Sequence, residues 1–302
     1  MPRPAPDGAG SRHSPCDVRA SSVRTIRALW GSSHPGPTLV VTALAFALGL
    51  STGLEPWRLA VLTAAVFAGQ ISVGISNDAL DAPRDKAVGR EDKPIARGVI
   101  GERTAWVAAS ATLVLALTLS APLGWRMLSA HALALGSAWA YNAGLKSTVV
   151  SIVPFLVSFG VFPSLATLSA PDPAFAAAWA WIAGAALGAA VHLTNVLPDL
   201  DDDERTGVRG LPHRLGARTA TLVAAGAVVL GAVAVLVGSS AGELTAVPVV
   251  SWVFFSAVVV VALVTVWRAV TRPPTRALFR LVMLAALLLA TQLVASGGAL
   301  VA

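Results

Sequence analysis

The chain has 302 residues, of which 55% are hydrophobic and 13% are charged, and its mean hydropathy is +0.72. In soluble domains about a quarter of all residues are charged, so this composition excludes an ordinary soluble protein and indicates a membrane protein. The net charge of +6 does not indicate a nucleic-acid partner, because basic residues in the cytoplasmic loops of a membrane protein account for it. The single cysteine, Cys16, excludes an intramolecular disulfide.

Residues 1–23 are rich in Pro, Gly, Ser and Arg and show no periodic pattern of apolar residues. This composition predicts a disordered cytoplasmic tail. It does not predict a cleaved signal peptide, because the first apolar run starts only near Pro37 and continues for the length of a membrane span. Residues 24–302 are predicted to form one membrane domain.

Long apolar segments recur through the rest of the chain. A membrane-spanning helix needs about 20 mainly apolar residues. Such segments lie near residues 37–54, 59–76, 104–122, 126–143, 149–168, 174–197, 217–238, 245–269 and 276–300. The sequence therefore predicts an all-α integral membrane protein with nine transmembrane helices.

The basic residues predict how these spans are oriented. If the N-terminus is cytoplasmic, 20 of the 22 Lys and Arg residues fall on the cytoplasmic side, and only Arg58 and Arg126 fall on the other. Cytoplasmic loops of membrane proteins carry such an excess of positive charge. We therefore expect a multi-pass protein of the cell membrane with its N-terminus inside.

The first acidic motif follows the second predicted span. Asn77, Asp81 and Asp85 are spaced four residues apart, and Asp78 lies beside them. On a helix this spacing places three oxygen-bearing side chains on one face. The C-terminal end of a helix disfavours negative charge, whereas Mg²⁺ binds carboxylates together with substrate phosphates. The motif therefore predicts a magnesium–diphosphate site.

A second acidic motif follows the sixth predicted span. Asn195, Asp199 and Asp203 repeat the four-residue spacing, at an equivalent position relative to a span. Metal binding is the favoured interpretation for Asp199 and Asp203, since the pattern occurs twice. A solvated loop is favoured for their charged neighbours, which are Asp201, Asp202 and Glu204.

Basic and polar residues that follow the first motif or end the fourth predicted span are candidate ligands for a diphosphate. Lys93 and Arg97 follow the first motif, and Tyr141, Asn142 and Lys146 lie at the end of the fourth predicted span. Most such basic residues serve only as membrane anchors, and a lone interfacial tyrosine is usually an anchor too. A diphosphate, however, needs cationic hydrogen-bond donors in addition to a metal.

Two histidines lie near these motifs. His34 precedes the first predicted span, and His192 lies one helical turn before Asn195. A histidine in such surroundings is usually a hydrogen-bonded packing residue. Packing is therefore the favoured interpretation of both, with a functional role as the alternative.

With these motifs in view, the sequence resembles the UbiA-type intramembrane prenyltransferases. The family's Asn-Asp-x2-Asp-x3-Asp pattern is matched at residues 77–85, its Asp-x3-Asp pattern at 199–203, and its Tyr-Asn-x2-Leu-Lys segment at 141–146. The resemblance extends from about residue 24 to the end of the chain. Lys93 stands where relatives usually have Arg, which keeps the charge but loses the bidentate guanidinium.

The resemblance implies a fold, a reaction and roles for individual residues. The fold is a helix bundle around a central cavity with a polar cytoplasmic cap, and the reaction is prenyl transfer from a prenyl diphosphate to a hydrophobic acceptor. The implied Mg²⁺ ligands are Asp78, Asp81, Asp85, Asp199 and Asp203, of which all but Asp78 are also implied to be catalytic. The implied substrate-binding residues are Asn77, Lys93, Arg97, Tyr141, Asn142, Lys146 and Asn195.

Three alternatives differ in what they predict. A terpene cyclase on the same scaffold would capture the carbocation within its own prenyl chain, and analysis of its products would reveal it. A cation-coupled transporter would place acidic residues near the middle of spans, whereas these acidic residues lie at span ends beside basic ones. A structural membrane scaffold would leave the repeated acidic motif unexplained. Prenyl transfer is the favoured interpretation.

Overall fold

The computed structural model describes residues 15–195, 209–272 and 275–301, and their side chains from residue 22 onward. These residues form ten α-helices, four short 3-10 helices and no strand, which confirms the all-α prediction. The helices are α1 (Pro15–Ser32), α2 (Pro35–Ser51), α3 (Pro56–Ala87), α4 (Glu102–Ser120), α5 (Trp125–Ala143), α6 (Val153–Thr167), α7 (Ala178–Asn195), α8 (Leu211–Gly238), α9 (Val249–Thr271) and α10 (Arg276–Ala295).

Five of the described helices are long and apolar enough to cross a membrane, namely α3, α4, α8, α9 and α10. The pair α1 and α2 is bent by 71° and adds a sixth candidate if the two form one broken span. Each of the nine predicted segments overlaps one of the helices α2 to α10. The chain is thus a multi-pass membrane protein, and the count of nine spans stays a prediction.

The N-terminal region is more helical than its composition predicts. Helix α1 begins at Pro15, so residues 15–23 are helical here, whereas residues 1–14 lie outside the described residues. The break after α1 packs closely on α3, since a Cβ atom at Gly74 would lie 2.3 Å from the Ser33 carbonyl oxygen. The break therefore holds His34, the residue before α2, beside α3.

Helix α3 positions the first acidic motif. It extends well beyond the predicted end at residue 76, so all of residues 77–85 are helical. It packs against α2, α4 and α5. Because the helix continues, the four-residue spacing of the motif places its side chains on one buried face.

The helices α6, α7 and α8 build the other half of the bundle. Helices α6 and α7 approach closely at Gly184 and Gly188, where a Cβ atom would lie 2.1 Å from the Phe159 carbonyl oxygen and 2.4 Å from that of Phe155. Small residues four apart allow such backbone contact between membrane helices. Helix α8 is interrupted at Gly216, whose φ of 74° is open to glycine.

Candidate active site

The acidic residues of the first motif are buried inside the bundle rather than solvated. Asp78, Asp81 and Asp85 are 2%, 9% and 3% exposed, respectively. Asn77 is half-buried on the same helical turn. Charged side chains in a membrane helix are costly unless they pair or face a polar cavity, so each of them requires a partner.

Asp78 is held by residues from two distant parts of the chain. Its Oδ1 atom lies 2.8 Å from Nε2 of His34 and 2.7 Å from Nζ of Lys93, which donates to it. Nε2 of His34 and Nζ of Lys93 are themselves 3.4 Å apart. The second oxygen, Oδ2, is buried and has no hydrogen-bond partner among the described residues. A buried oxygen without a donor is a free acceptor for a ligand or cation.

Asp81 is held by the segment that follows α5. Lys146 lies in a 3-10 turn (Leu145–Ser147), and its Nζ atom is 2.5 Å from Oδ1 of Asp81 and 3.5 Å from Oδ1 of Asn77. Arg84 lies 3.3 Å from the other oxygen of Asp81 and 3.9 Å from Oδ1 of Asp85. The structure therefore brings Lys146 into contact with the first motif. From the sequence, a shared site for the two followed only from the family resemblance.

The Tyr-Asn pair at the end of α5 divides into two roles. Asn142 is buried and donates to the Val73 carbonyl oxygen (2.9 Å) and to Ser76 Oγ (3.0 Å), so it ties α5 to α3. The Tyr141 ring packs edge-on against His192, with ring centroids 5.7 Å apart. Tyr141 and Asn142 also line the cavity described below.

Arg97 lies apart from these ion pairs. It is exposed and donates to the Glu91 carbonyl oxygen at 3.4 Å. Nearby, Arg90 donates two hydrogen bonds to Asp92, which lowers the pKa of that carboxyl to about 2. The loop after α3 thus sends Lys93 inward and keeps an ion pair of its own on the surface.

Only the beginning of the second motif lies in the described part of the chain. Asn195 ends α7, is exposed and lines the cavity. Asp199 and Asp203 lie outside the described residues. One turn before Asn195, His192 Nε2 lies 3.0 Å from Ser151 Oγ, which in turn accepts from the Leu211 amide at 2.9 Å. These contacts join the end of α7 to the start of α8.

A cavity of about 310 Å³ lies between α2, α3, α5, α6 and α7. Its wall is mainly apolar and includes the aromatic rings of Tyr141, Phe155, Phe159 and Phe162. The Phe155 and Phe159 rings are nearly parallel, 6.2 Å between centroids. Asn77 belongs both to this wall and to the acidic motif. A pocket of this size and character is typical of a small-molecule site.

The donor set of the first motif fits a magnesium ion in part. It offers carboxylate oxygens, the ligands Mg²⁺ prefers, including the unpaired Oδ2 of Asp78. In the described part of the chain, however, no group of three or more His, Cys, Asp or Glu side chains converges closely enough to hold a metal. A complete coordination shell therefore needs oxygens from elsewhere, such as substrate phosphates or the second motif.

The three aspartates of the first motif and their partners His34, Lys93, Arg84 and Lys146 form an acid–base cluster. A helical membrane bundle with such a cluster beside an apolar cavity fits the architecture that the resemblance implied. The model of the UbiA prenyltransferase family matches residues 38–296 of this chain. The chain therefore belongs to the UbiA family of prenyltransferases, which confirms the resemblance and the enzyme class.

Two curated relatives carry specific names. The digeranylgeranylglyceryl phosphate synthase of Natronomonas pharaonis is 28% identical over 213 residues, which are 68% of this chain and 75% of that protein. The lycopene elongase/hydratase of Haloferax volcanii is 32% identical over 213 residues, or 66% of each chain. The matched region thus spans just under two thirds of the second relative.

Solved structures share the fold at low sequence identity. A digeranylgeranylglyceryl phosphate synthase structure superposes with a TM-score of 0.70 at 11% identity, covering 91% of this chain and 99% of its own. A UbiA homologue from Archaeoglobus fulgidus bound to GPP and Mg²⁺ gives a TM-score of 0.65 at 15% identity, covering 89% and 98%. These similarities establish the fold of the bundle.

Sequence reasoning underrated one residue of the cluster and missed another in the cavity. His34 contacts Asp78, although a packing role was the favoured interpretation. His131, on α5, lines the cavity and did not stand out in the sequence. The available signal for His34 was its position just before a helix that starts with Pro35, a junction where the chain turns.

Proposed function

We propose that this protein transfers a prenyl group from a magnesium-bound prenyl diphosphate to a hydrophobic acceptor that is aromatic or lipid-like. The observation that carries the proposal is the continuity of the acid–base cluster with the apolar cavity. Asn77 lines the cavity, and its amide oxygen is 3.5 Å from Lys146, which binds Asp81. A diphosphate at the cluster would extend its prenyl tail into the cavity.

We assign the magnesium ligands to the two acidic motifs: Asp78, Asp81, Asp85, Asp199 and Asp203. When bound, Mg²⁺ would offset the negative charge of the diphosphate as that group leaves. The free Oδ2 atom of Asp78 supports this assignment. So does the A. fulgidus homologue of the same fold, which is bound to GPP and Mg²⁺.

The lysines of the cluster are proposed to stabilise the leaving group. Lys93 and Lys146 bind aspartates here, at 2.7 and 2.5 Å, and each ammonium has further donors to give to a phosphate oxygen. Charge developing on the diphosphate strengthens these bonds as the allylic carbon–oxygen bond breaks. Arg97 is proposed to bind the diphosphate too, which requires its guanidinium to leave the Glu91 carbonyl.

The cavity wall is proposed to protect the carbocation and to guide its capture. The faces of aromatic rings stabilise a nearby positive charge, and Tyr141, Phe155 and Phe159 present such rings to the cavity. The apolar wall excludes water, which would otherwise capture the cation. Asn142 and Asn195 are proposed to contribute polar contacts at the mouth, since both line the cavity.

The membrane topology is part of the proposal. We propose that the nine helices α2 to α10 all cross the cell membrane, with the N-terminus and the acid–base cluster on the cytoplasmic side. The distribution of 20 of the 22 basic residues supports this orientation.

Replacement of the metal ligands tests the proposed function. We expect Asp81→Ala and Asp199→Ala to lower magnesium-dependent diphosphate release from geranyl diphosphate by at least about 100-fold, because each removes a charged metal ligand. Release would be measured on purified protein in lipid nanodiscs. Asp92→Ala is the matched control, since Asp92 pairs with Arg90 on the surface, and it should retain wild-type release.

Two results would overturn the assignment. Wild-type release by Asp81→Ala would remove the first motif from the metal site, and wild-type release by Asp199→Ala would remove the second. Mass spectrometry of the products then separates the reaction types. A prenylated acceptor supports transfer, whereas a cyclised prenyl chain formed without an acceptor would identify a terpene cyclase.

A further inference from the structure

His131 is a buried polar residue that the proposed reaction does not use. It lies on α5, is 3% exposed and lines the cavity. Its Nδ1 atom is 2.8 Å from Ser120 Oγ, and that hydroxyl is also 2.8 Å from the Ala116 carbonyl oxygen. A carbonyl oxygen can only accept, so the hydroxyl proton lies on the Ala116 side. Nδ1 must therefore donate to Ser120.

This hydrogen bond determines what His131 offers to the cavity. A neutral imidazole with its proton on Nδ1 carries a lone pair on Nε2. Nε2 has no hydrogen-bond partner in the part of the chain that the structure describes. The ring edge lies against α3, where a Cβ atom at Gly69 would be 3.1 Å from Nε2. The cavity wall thus contains one fixed acceptor atom, placed by a hydrogen bond behind it and a glycine beside it.

A second polar side chain lines the same cavity. Gln70 lines the cavity, and its side-chain amide makes no hydrogen bond to the described residues. Two other polar residues of the wall are already satisfied, since Thr38 donates to the Ser33 carbonyl (2.7 Å) and Ser158 to the Ala134 carbonyl (2.9 Å). We call Gln70 and His131, whose unpaired polar atoms belong to the same cavity wall, the deep polar subsite.

The deep polar subsite is separate from the diphosphate site. Gln70 precedes Asp78 by eight residues on the continuous helix α3, a distance of about 12 Å along its axis. A hydrocarbon tail offers nothing to an acceptor nitrogen and would leave it unpaired once water is excluded, which is unfavourable. A hydroxyl group placed between them would satisfy both members, because its proton would go to His131 and its oxygen would accept from the Gln70 amide.

We propose that Gln70 and His131 bind a hydroxyl group carried by the acceptor, at a point remote from the atom that is prenylated. The acceptor class is therefore an elongated, mainly apolar molecule with a hydroxyl group, in preference to a pure hydrocarbon. The inference rests on the proposed function, in which the acceptor captures the carbocation inside this cavity.

A matched pair of probes tests the subsite without any turnover. 4-Propylphenol and 4-propylanisole differ in that a methyl group replaces the hydroxyl proton, so only the phenol can donate a hydrogen bond. Their binding would be measured by calorimetry on protein in nanodiscs, corrected for partitioning into empty nanodiscs. We expect wild-type protein to bind the phenol about tenfold more tightly than the ether, because only the phenol donates to Nε2. His131→Leu should reduce this ratio to about one.

Three further variants separate the contributions. Ser120→Ala keeps His131 but removes the group that holds its proton on Nδ1, so the ratio should fall. Gln70→Leu should weaken both probes equally and leave the ratio unchanged, since the amide donates to either oxygen. Ser158→Ala, the matched control on the same wall, should leave the ratio at its wild-type value.

The outcomes are decisive even if one variant fails to fold. Equal binding of the two probes to wild-type protein would overturn the proposal, as would an unchanged ratio in both His131→Leu and Ser120→Ala. The measurement contains neither magnesium nor diphosphate. If the protein prefers the phenol but releases no diphosphate, the subsite is supported and the proposed function is contradicted. If it releases diphosphate but binds both probes equally, the proposed function is supported and the subsite is contradicted.

Discussion

The carboxylates of the acid–base cluster differ in how strongly they are neutralised. Asp78 and Asp81 each bind a lysine within 2.7 Å, whereas the nearest cation to Asp85 is Arg84 at 3.9 Å. Removing one partner of a buried ion pair leaves an uncompensated charge. Under the proposed function, the lysines act on two quantities at once, the stability of the metal-free protein and the affinity for diphosphate.

Lys146 is the residue at which we test the effect on diphosphate release. We expect Lys146→Met to lower the rate of diphosphate release by about 10- to 100-fold, since one hydrogen bond to a charged group contributes about 1.5–3 kcal/mol. Single-turnover kinetics at saturating magnesium and geranyl diphosphate would measure it. Lys86→Met is the matched control, because Lys86 is exposed at the end of α3, the helix that carries Asp81. An equal loss in both variants would contradict a specific role.

At the scale of helices, the packing of α6 on α7 determines the shape of the cavity. Phe155 and Phe159 present their rings to the cavity while their carbonyl groups face Gly188 and Gly184 of α7. The close approach exists only because these two positions lack a side chain. Any atom added there would push α6 and its aromatic rings away from α7.

Alanine substitution tests this contact. We expect Gly188→Ala to lower the free energy of unfolding by about 1–3 kcal/mol, the usual effect of overpacking a tight contact. Gly226→Ala, in the exposed part of α8 where nothing lies within 4 Å, should be neutral or stabilising. Thermal unfolding in detergent would compare the two. Equal midpoints would show that α6 and α7 do not need this close approach.

Across the whole molecule, the two ends of the bundle use positive charge differently. At one end, Lys93 and Lys146 bind buried carboxylates. At the other, Arg58 donates to the Ser169 carbonyl oxygen (2.9 Å) and Arg126 to that of Pro173 (3.1 Å). The two arginines that the predicted topology places outside the cytoplasm therefore attach the connection between α6 and α7 to α3 and α5.

The proposed topology predicts which end faces the cytoplasm. In a Cys16→Ser background, a membrane-impermeant maleimide applied to intact cells should label Asp172→Cys, which lies between α6 and α7. It should label Gly101→Cys, just before α4, only after the cells are permeabilised. Labelling of both variants in detergent is the control for accessibility. Labelling of Gly101→Cys in intact cells would contradict the proposed orientation.

Several features were predictable because they depend on local patterns. Apolar segments of the length of a membrane span predicted the helices, because the bilayer leaves few other ways to satisfy backbone hydrogen bonds. The four-residue spacing of Asn77, Asp81 and Asp85 predicted a shared helical face, and α3 provides it. The resemblance carried by these motifs predicted the family, which the family model confirms.

Other features depend on contacts between residues far apart in the chain, and only the folded bundle decides them. Lys93 and Lys146 each bind a different aspartate, and His34 joins Lys93 at Asp78 across the break between α1 and α2. His131 is an unremarkable histidine until α3 and α5 pack around it and Ser120 orients its ring. The helices follow from composition because the membrane acts on every residue in the same way. The partners follow from packing, because burial makes each charge or polar atom depend on the one group that reaches it.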